Sequence, residues 1–260
     1  MTSMHTENYR LSIIIPIYNE QDNIKETLYS IETNINTPHE IITVYDHSED
    51  TTLPILKDLQ EHFLNLKVVK NEIASGPSGA IRTGLNAASA PLILVMMADL
   101  CDDISQVQGF MNLIPKDADI VCPSRYCEGG RQDISESPKK WLPKIAGFIL
   151  HNFVGLPYDP TNSFKLYSKE VLDEIELKST SSFSVTLEIV VKAHCLGYRL
   201  VEVPTTWKNR KFGKSNFNIL ISIFSYLPWF ILALTRGRFH MNFNQKYRKT
   251  KYTWNYCVTR

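Results

Sequence analysis

The chain has 260 residues, 43% of them hydrophobic and 21% charged, which is the composition of a globular protein with a buried core. Its five cysteines form no C-x-x-C pair and have no histidine cluster beside them, which excludes the usual zinc sites and is typical of free thiols in a reducing compartment. The net charge of +1 conceals an asymmetry, because residues 203–260 carry 11 Lys and Arg and no Asp or Glu, whereas residues 1–202 carry 17 basic and 27 acidic side chains. This asymmetry predicts that the C-terminal part meets a polyanion, either a membrane surface or a nucleic acid.

The first hundred residues alternate between apolar, β-branched runs and segments with helical patterning. We predict strands at 11–17, 40–45, 66–69 and 91–97, and helices at 22–32, 50–63 and 78–88. Such an alternation with short connections predicts an α/β fold with a doubly wound, mostly parallel, Rossmann-like sheet. Because ligands of these sheets bind beyond the carboxyl ends of the strands, the loops that follow the four strands are the expected site.

The second half of the chain is less regular. We predict strands at 119–122, 163–167 and 198–203, helices at 139–154 and 182–196, a polar loop at 128–138 and a basic loop at 206–215. The basic loop contains Arg210, Lys211 and Lys214 without an acidic neighbour, so we expect it to contact anions.

Residues 218–235, NILISIFSYLPWFILALT, contain no charged side chain. Pro228 removes a helix hydrogen bond and therefore predicts a break into two helices, each too short to cross a hydrocarbon core of about 30 Å. The basic residues that follow favour the level of the lipid headgroups. We therefore predict a folded domain at 1–217 and a membrane-associating segment of interfacial helices with a basic tail at 218–260. A buried packing helix is the alternative.

Two of the predicted loops are rich in hydrogen-bond acceptors. The first, PIYNE at 16–20, fits the end of a strand followed by a helix cap from Asn19. The second, DHSEDTT at 46–52, offers oxygens for a nucleobase or ribose, or for capping the next helix through Asp50. The residues alone support both interpretations of the second loop equally.

The third and fourth loops have features of phosphate and metal sites. Small residues in SGPSGAIRTG, at 75–84, let the backbone approach a ligand, and the helix start that follows favours phosphate, although the loop lacks the G-x-G-x-x-G spacing. ADLCDD, at 98–103, directly follows an apolar strand, where carboxylates can hold Mg²⁺ or Mn²⁺ against a diphosphate. For Asp99, the residue nearest the strand, we favour the metal. A solvated helix start is the alternative for Asp102 and Asp103.

Seven segments, collinear along residues 11–218, together resemble the motifs of glycosyltransferase family 2, in particular the dolichyl-phosphate mannose synthases and other polyprenyl-phosphate hexosyltransferases. The segments are SIIIPIYNE, VYDHSEDTT, SGPSGAIRTGL, VMMADLCDD, CPSRYCEGG, DPTNSFKLYSKEVL and LEIVVKAHCLGYRLVEVPTTWKNRKFGKSNF. The resemblance implies a GT-A fold and a catalytic role for the 1–217 domain. Three positions depart from the family pattern: Tyr45 and Met97 replace the first Asp of D-D and of D-x-D, and Thr51 replaces the Gly of D-G-T.

The resemblance also implies roles for individual residues. Those expected to line the nucleotide-sugar pocket are Pro16, Tyr18, Glu20, Asp46, Gly76, Arg82, Ala98 and Asp99. Those expected to be catalytic are Asp99, as the ligand of Mg²⁺ or Mn²⁺, and Arg125, Arg210 and Lys214, which would act on phosphates. Lys139 and Lys140 are secondary candidates for the acceptor phosphate, with solvated lysines at a helix start as the alternative.

The implied reaction is inverting transfer of a hexose-type sugar from a nucleotide-sugar to a polyprenyl phosphate. The protein would act on the cytoplasmic face of a membrane, bound peripherally or monotopically. A phosphate monoester is ionised near neutral pH, because its second pKa is about 6, so charge neutralisation matters more than a strong base.

Two alternatives remain for the function. One is transfer to a hydroxyl of a glycan or lipid, with Asp102 or Asp103 as the base. The other, suggested by Met97 and Tyr45, is a degenerate nucleotide-sugar-binding protein without turnover. We expect no nucleic-acid partner, because the sequence has no recognisable nucleic-acid-binding module. The sequence leaves a homo-oligomer open.

Overall fold

The computed structural model describes residues 8–133, 141–210 and 219–237. The strands are β1 (Leu11–Pro16), β2 (His39–Tyr45), β3 (Leu66–Lys70), β4 (Leu92–Val95), β5 (Ile120–Ser124), β6 (Arg131–Asp133), β7 (Lys165–Ser168), β8 (Leu200–Pro204) and β9 (Thr206–Lys208). The helices are α1 (Ile24–Asn34), α2 (Leu53–Leu59), α3 (Pro77–Ala87), α4 (Val107–Leu113), α5 (Trp141–Val154), α6 (Lys169–Glu174), α7 (Ser184–Leu196) and α8 (Ile219–Leu232). A π-helical turn at Ala233–Gly237 follows α8.

Seven strands form one sheet in the order β3-β2-β1-β4-β7-β5-β8. Neighbouring strands are parallel except at β7, which runs antiparallel to both β4 and β5. This order confirms the predicted α/β fold with a doubly wound, mostly parallel sheet. The direction of winding reverses between β1 and β4, so the loops beyond their carboxyl ends border the crevice in which such sheets bind ligands.

Within the part of the chain that the structure describes, a second, parallel sheet consists of β6 and β9. The sequence predicts loops for both segments, and that prediction is wrong. A strand of three residues is too short to show a period of two, so its pairing partner defines it.

Alternate residues of β1 belong to separate cores on the two faces of the large sheet. Ile13 and Ile15 share one core with Leu28 of α1, whereas Ile14 shares the other with Ile81 of α3. All six residues of the strand are buried. The continuous apolar run in the sequence therefore reflects a central strand that is covered on both faces, which gives the loop after it a rigid base.

Helix α8 continues through Pro228, so the predicted break into two helices at this residue is wrong. Proline costs about 3 kcal/mol inside a helix, but contacts on both sides of it hold α8 against α7 and the turn before it. The hydroxyls of Ser222 and Ser182 lie 2.8 Å apart, and the Lys192 ammonium lies 4.9 Å from the centroid of the Trp229 ring. Among the residues that the structure describes, no helix combines the length and apolarity needed to cross a membrane.

A fully buried carboxylate ties together β1, β2 and β3 near the amino-terminal ends of β1 and β2. Glu40 accepts hydrogen bonds from Ser12 Oγ at 2.6 Å, from Lys67 Nζ at 2.6 Å, and from the Ser89 N–H and hydroxyl, both at 2.7 Å. Burial by itself raises the pKa of Glu40, but these donors outweigh burial and hold the pKa below its ordinary value of 4.5.

Glu40→Gln should lower the free energy of unfolding at neutral pH by about 1–3 kcal/mol, because an amide N–H₂ then faces donors that need acceptors. A lowered folded-state pKa stabilises the fold above pH 4.5, and this contribution is lost as pH falls through the folded pKa. The difference between wild type and variant should therefore shrink in acid, as measured by urea denaturation at a series of pH values. The exposed Glu61 provides the control, since Glu61→Gln should change stability by less than about 0.5 kcal/mol. A difference that grows in acid contradicts this account.

Candidate active site

The loops after β1 and β2 are tied to each other by polar side chains. Asn19, at φ 54°, donates its N–H to the Asp50 carboxylate at 3.1 and 3.2 Å, and Glu20 donates its N–H to Thr52 Oγ1 at 2.8 Å. Asp50 also accepts from the Thr52 N–H at 2.8 Å. Asp50 and Thr52 are buried. These side chains hold the two loops in one arrangement and so fix the position of Glu20.

Asp46, predicted to line the nucleotide pocket, joins the loops after β2 and β3. Its Oδ1 accepts from Asn71 Nδ2 and its Oδ2 accepts from the Gly76 N–H, both at 2.6 Å. Asn71 in turn accepts from Thr83 Oγ1 at 2.9 Å. Asp46 and Gly76, two of the predicted residues, are therefore brought together at the β2 side of the crevice.

The hydrogen-bond donors of Ser78, at the start of α3, are used within the protein. Ser78 donates its N–H to the carbonyl of Ser182 at 2.9 Å, and its Oγ donates to the same oxygen at 2.8 Å. A Cβ on Gly79 would lie 1.7 Å from the carbonyl oxygen of Ala74. The small residues that suggested close approach of a ligand thus permit close approach of the chain to itself.

The other predicted pocket residues differ in their surroundings. Pro16 is the buried last residue of β1, and Ala98 is also buried. Tyr18, in the loop after β1, is 53% exposed. Arg82 donates from Nη1 to the carbonyl of Ser179 at 3.0 Å and is not brought to the cluster around Asp99. The predicted phosphate ligands that lie outside the described residues are Lys139, Lys140 and Lys214.

Three of the predicted residues meet in one ionic cluster at the β1–β4 crevice. Arg210 Nη2 donates to Asp99 Oδ2 at 3.0 Å, and its Nη1 lies 3.5 Å from Glu20 Oε1. Asp99 Oδ1 accepts from the Cys101 N–H at 3.2 Å. Leu100, at φ 59°, adopts a left-handed conformation that a leucine rarely takes, which is typical of backbone strain at functional sites.

The charges of the cluster shift the pKa values of its members. Burial raises the pKa of Glu20, although Asn23 and Arg210 partly oppose it. For Arg210, burial lowers the pKa, but Asp99 and Glu20 outweigh it and the pKa rises. The guanidinium is therefore charged and serves as the counter-ion of two carboxylates that are largely removed from water.

The surroundings of Asp102 disfavour the ionised form of its carboxylate. Burial and then the negative charge of Asp99 raise the pKa of Asp102 to about 7, against the opposing effects of the Met97 backbone and Arg125. A divalent cation would relieve the repulsion between the two carboxylates, and Mg²⁺ is commonly held by one or two carboxylates, with phosphates and water completing its shell. Among the described residues, no group of three or more His, Cys, Asp and Glu side chains is arranged to hold a metal. Asp99 and Asp102 therefore fit a cation that shares a diphosphate, but they do not form a complete protein cage.

Arg125 is held by the buried carboxylate of Asp159, a residue for which the sequence motifs predicted no role. Its Nε and Nη2 donate to the two oxygens of Asp159 at 2.6 and 2.9 Å, and its N–H donates to Asp159 Oδ2 at 3.2 Å. The guanidinium carbon lies 5.1 Å from the ring centroid of Tyr126 and 5.8 Å from that of Trp207. Asp159 outweighs the effect of burial, so the pKa of Arg125 is raised. Three groups, Asp159, Tyr126 and Trp207, therefore orient the guanidinium, which stays charged.

A fully buried cation, Lys165, lies close enough to this pair to interact with its charges. Lys165, fully buried in β7, donates from Nζ to the carbonyl of Asn162, and burial lowers its pKa. The Asn162 amide donates to the carbonyl of Pro123 at 3.0 Å. The only sequence signal for Lys165 was a charged residue inside an apolar strand pattern.

Three relatives show what this sequence is similar to. Dolichol-phosphate mannosyltransferase of Pyrococcus furiosus is 29% identical over 232 residues, which cover 85% of this chain and 64% of the relative. Polyprenol monophosphomannose synthase of Mycolicibacterium smegmatis is 26% identical over 241 residues, which cover 88% of each. An uncharacterised glycosyltransferase of Synechocystis is 28% identical over 169 residues, which cover 64% of this chain and 52% of the relative. This chain thus spans less than two thirds of the length of the first and the last of these proteins.

Solved structures share the architecture. Glucosyl-3-phosphoglycerate synthase from Mycobacterium tuberculosis, in complex with Mn²⁺, uridine diphosphate and glucosyl-3-phosphoglycerate, superposes with a TM-score of 0.63 at 16% identity, over 88% of this chain and 80% of that one. The likeness establishes the GT-A fold that the motifs implied. The sequence model of glycosyl transferase family 2 matches residues 12–176, more than half of the chain. Together with the fold, this match means that the protein belongs to glycosyl transferase family 2.

Proposed function

We propose that this protein is a metal-dependent inverting glycosyltransferase that moves a hexose-type sugar from a nucleotide-sugar to a polyprenyl phosphate. The observation that carries the proposal is the charge pattern at the crevice, where the carboxylates of Asp99 and Asp102 are flanked by the guanidinium groups of Arg210 and Arg125. Two anions, a donor diphosphate and an acceptor phosphate, need such cations to approach each other. The names of the P. furiosus and M. smegmatis relatives, which mention mannose and a polyprenyl phosphate, support a hexose as the transferred group and a polyprenyl phosphate as the acceptor.

Each part of the cluster has a role in this chemistry. Asp99, with Asp102 beside it, would hold Mg²⁺ or Mn²⁺, which neutralises charge on the leaving nucleotide. Arg125 is oriented by Asp159 through Nε and Nη2, and its Nη1 supplies two further N–H groups for a phosphate oxygen. An ionised phosphate acceptor needs no base. Asp102, with a pKa of about 7, suits the alternative in which a hydroxyl acceptor gives up a proton.

The acceptor class is tested by offering one lipid in two forms. With a panel of nucleotide-sugars and Mn²⁺ or Mg²⁺, a short polyprenyl phosphate should yield product and the matching free polyprenol should yield none. Equal transfer to both lipids would favour the hydroxyl acceptor. Donor binding without transfer to either lipid would favour the degenerate binding protein.

We further propose that the protein is held on the cytoplasmic face of a membrane, with residues 1–217 as the catalytic domain and 218–260 as the attachment. Helix α8 is fixed to the domain on one side, through Ser222 and Trp229, and leaves apolar side chains exposed on the other. Those exposed on α8 are Ile221, Ile223, Phe224, Leu227 and Ile231. Those exposed on α5, which packs against the π-helical turn after α8, are Trp141, Leu142, Ile145, Phe148 and Phe153. The two exposed apolar helix faces provide one signal for attachment, and the basic residues that follow α8 in the sequence provide a second. Stable attachment usually needs two such signals.

Replacing Phe224 and Ile231 together by Ser should weaken binding to anionic lipid vesicles at least about tenfold, because each side chain contributes apolar area to the bilayer. Phe224 is 72% exposed, so the fold should tolerate the change. Leu64→Ser, at a residue 93% exposed in the turn before β3, is the matched control and should leave binding unchanged. Vesicle flotation measures both, and equal binding of the double variant and wild type would rule out α8 as an attachment.

A further inference from the structure

The guanidinium of Arg210 contacts the Asp99 carboxylate, which is the proposed metal ligand. It lies between Glu20, in the loop after β1, and Asp99, in the loop after β4, at 3.5 and 3.0 Å. The side chain of Arg210 is 25% exposed, that of Glu20 11% and that of Asp99 9%, so water screens their charges poorly.

A metal and Arg210 cannot both keep their contacts with Asp99 unchanged. Asp99 Oδ1 accepts from the Cys101 N–H and Oδ2 accepts from Arg210. A dication bound to this carboxylate would therefore either replace the guanidinium or lie directly beside it, and two cations at that distance repel each other strongly outside bulk water.

The backbone near Arg210 is anchored, so the side chain is the part that can move. Lys208 donates its N–H to the carbonyl of Cys101 at 3.0 Å and pairs through β9 with Asp133. Glu20 lies on the other side of the guanidinium and offers it a second carboxylate, which is only 11% exposed. Arg210 can thus leave Asp99 without losing every counter-ion.

We propose that Arg210 is the exchangeable counter-ion of Asp99: the metal displaces the guanidinium, which then turns to the phosphate groups that the metal brings. This inference rests on the proposed metal site at Asp99. It gives Arg210 two opposite effects, since the residue competes with the metal alone and attracts the metal together with a diphosphate. A purely structural role would weaken both kinds of binding.

The experiment measures Mn²⁺ binding to the full chain by electron paramagnetic resonance, without nucleotide and then with inorganic pyrophosphate as the probe. Arg210→Gln should bind Mn²⁺ alone at least about fivefold more tightly than wild type, the lower end of typical coupling between sites. The same variant should bind pyrophosphate with Mn²⁺ more weakly than wild type. Arg210→Lys keeps a cation but loses the forked geometry, so its affinities for Mn²⁺ and for pyrophosphate should lie between those of wild type and Arg210→Gln. It replaces Arg210→Gln in the test if that variant does not fold.

Asp99→Asn separates this inference from the proposal on which it rests. If Asp99→Asn abolishes Mn²⁺ binding but Arg210→Gln binds Mn²⁺ no more tightly than wild type, the exchange is wrong and the metal site stands. If Mn²⁺ binding is the same in Asp99→Asn and wild type, the metal site itself is wrong. Absence of Mn²⁺ binding in both wild type and Arg210→Gln would also overturn the exchange, because removing the competitor should expose the carboxylate.

Discussion

Asp99→Asn should lower kcat/KM for sugar transfer by on the order of 10³-fold, the scale of losing a principal electrostatic stabiliser of the transition state. The stability of the fold should stay within about 1 kcal/mol of wild type. The reason is that Arg210 keeps Glu20 as a partner and Asp102 loses a repulsive neighbour. Initial rates with saturating Mn²⁺ and urea denaturation measure the two quantities separately.

A matched control lies in the same loop. Asp103 carries a carboxylate that accepts from Ser105 Oγ at 2.6 Å, and Asp103→Asn should retain most of the wild-type activity. Metal-dependent transfer by Asp99→Asn at a near wild-type rate would remove Asp99 from the reaction. Equal losses in the two variants would mean that the loop, and not the Asp99 carboxylate, is what matters.

Asp159→Leu should lower the free energy of unfolding by about 3–5 kcal/mol, because it leaves the Arg125 guanidinium buried without its carboxylate. The Asp159 side chain is fully buried and that of Arg125 is 15% exposed. The double variant, which also carries Arg125→Leu, should be more stable than Asp159→Leu alone, since no uncompensated charge remains. Urea denaturation of the two single variants and the double variant completes the cycle.

An exposed ion pair provides the comparison. Lys169 and Asp173 lie 2.9 Å apart on the surface of α6, and Asp173→Ala should change stability by less than about 1 kcal/mol. If Asp159→Leu costs no more than Asp173→Ala, the bidentate pair does not hold Arg125 in the way proposed. Transfer by the Asp159→Leu variant should also fall, because Arg125 loses the group that orients it.

The first half of the chain carried enough local information to predict its architecture. The alternation from β1 to β4 follows from strand and helix periods that are visible within a few residues. The doubly wound sheet and the loops at its carboxyl edge then follow from the rules of parallel connection. Asp99 could be selected as a candidate for the same reason, since it lies in the loop that follows β4.

Short or exceptional segments were predicted less well. β7 was recognised as a strand, but its antiparallel direction depends on its partners β4 and β5. The three-residue strands β6 and β9 exist only as a pair, and α8 passes through Pro228 because contacts to α7 and the turn before it hold both halves. In each case a tertiary contact outweighs the local preference.

The sequence by itself determined which residue types reach the crevice: the carboxylates of Glu20, Asp99 and Asp102 and the cations of the second half. Only the tertiary structure decided their partners. Asp99 and Arg210 are 111 positions apart, and Ser78 donates to the carbonyl of Ser182, 104 positions further along the chain. Charge and hydrogen-bonding capacity belong to single residues and can be seen in the sequence. Pairing depends on distance and on exclusion of water, which exist only once the two halves of the chain have packed on the same sheet.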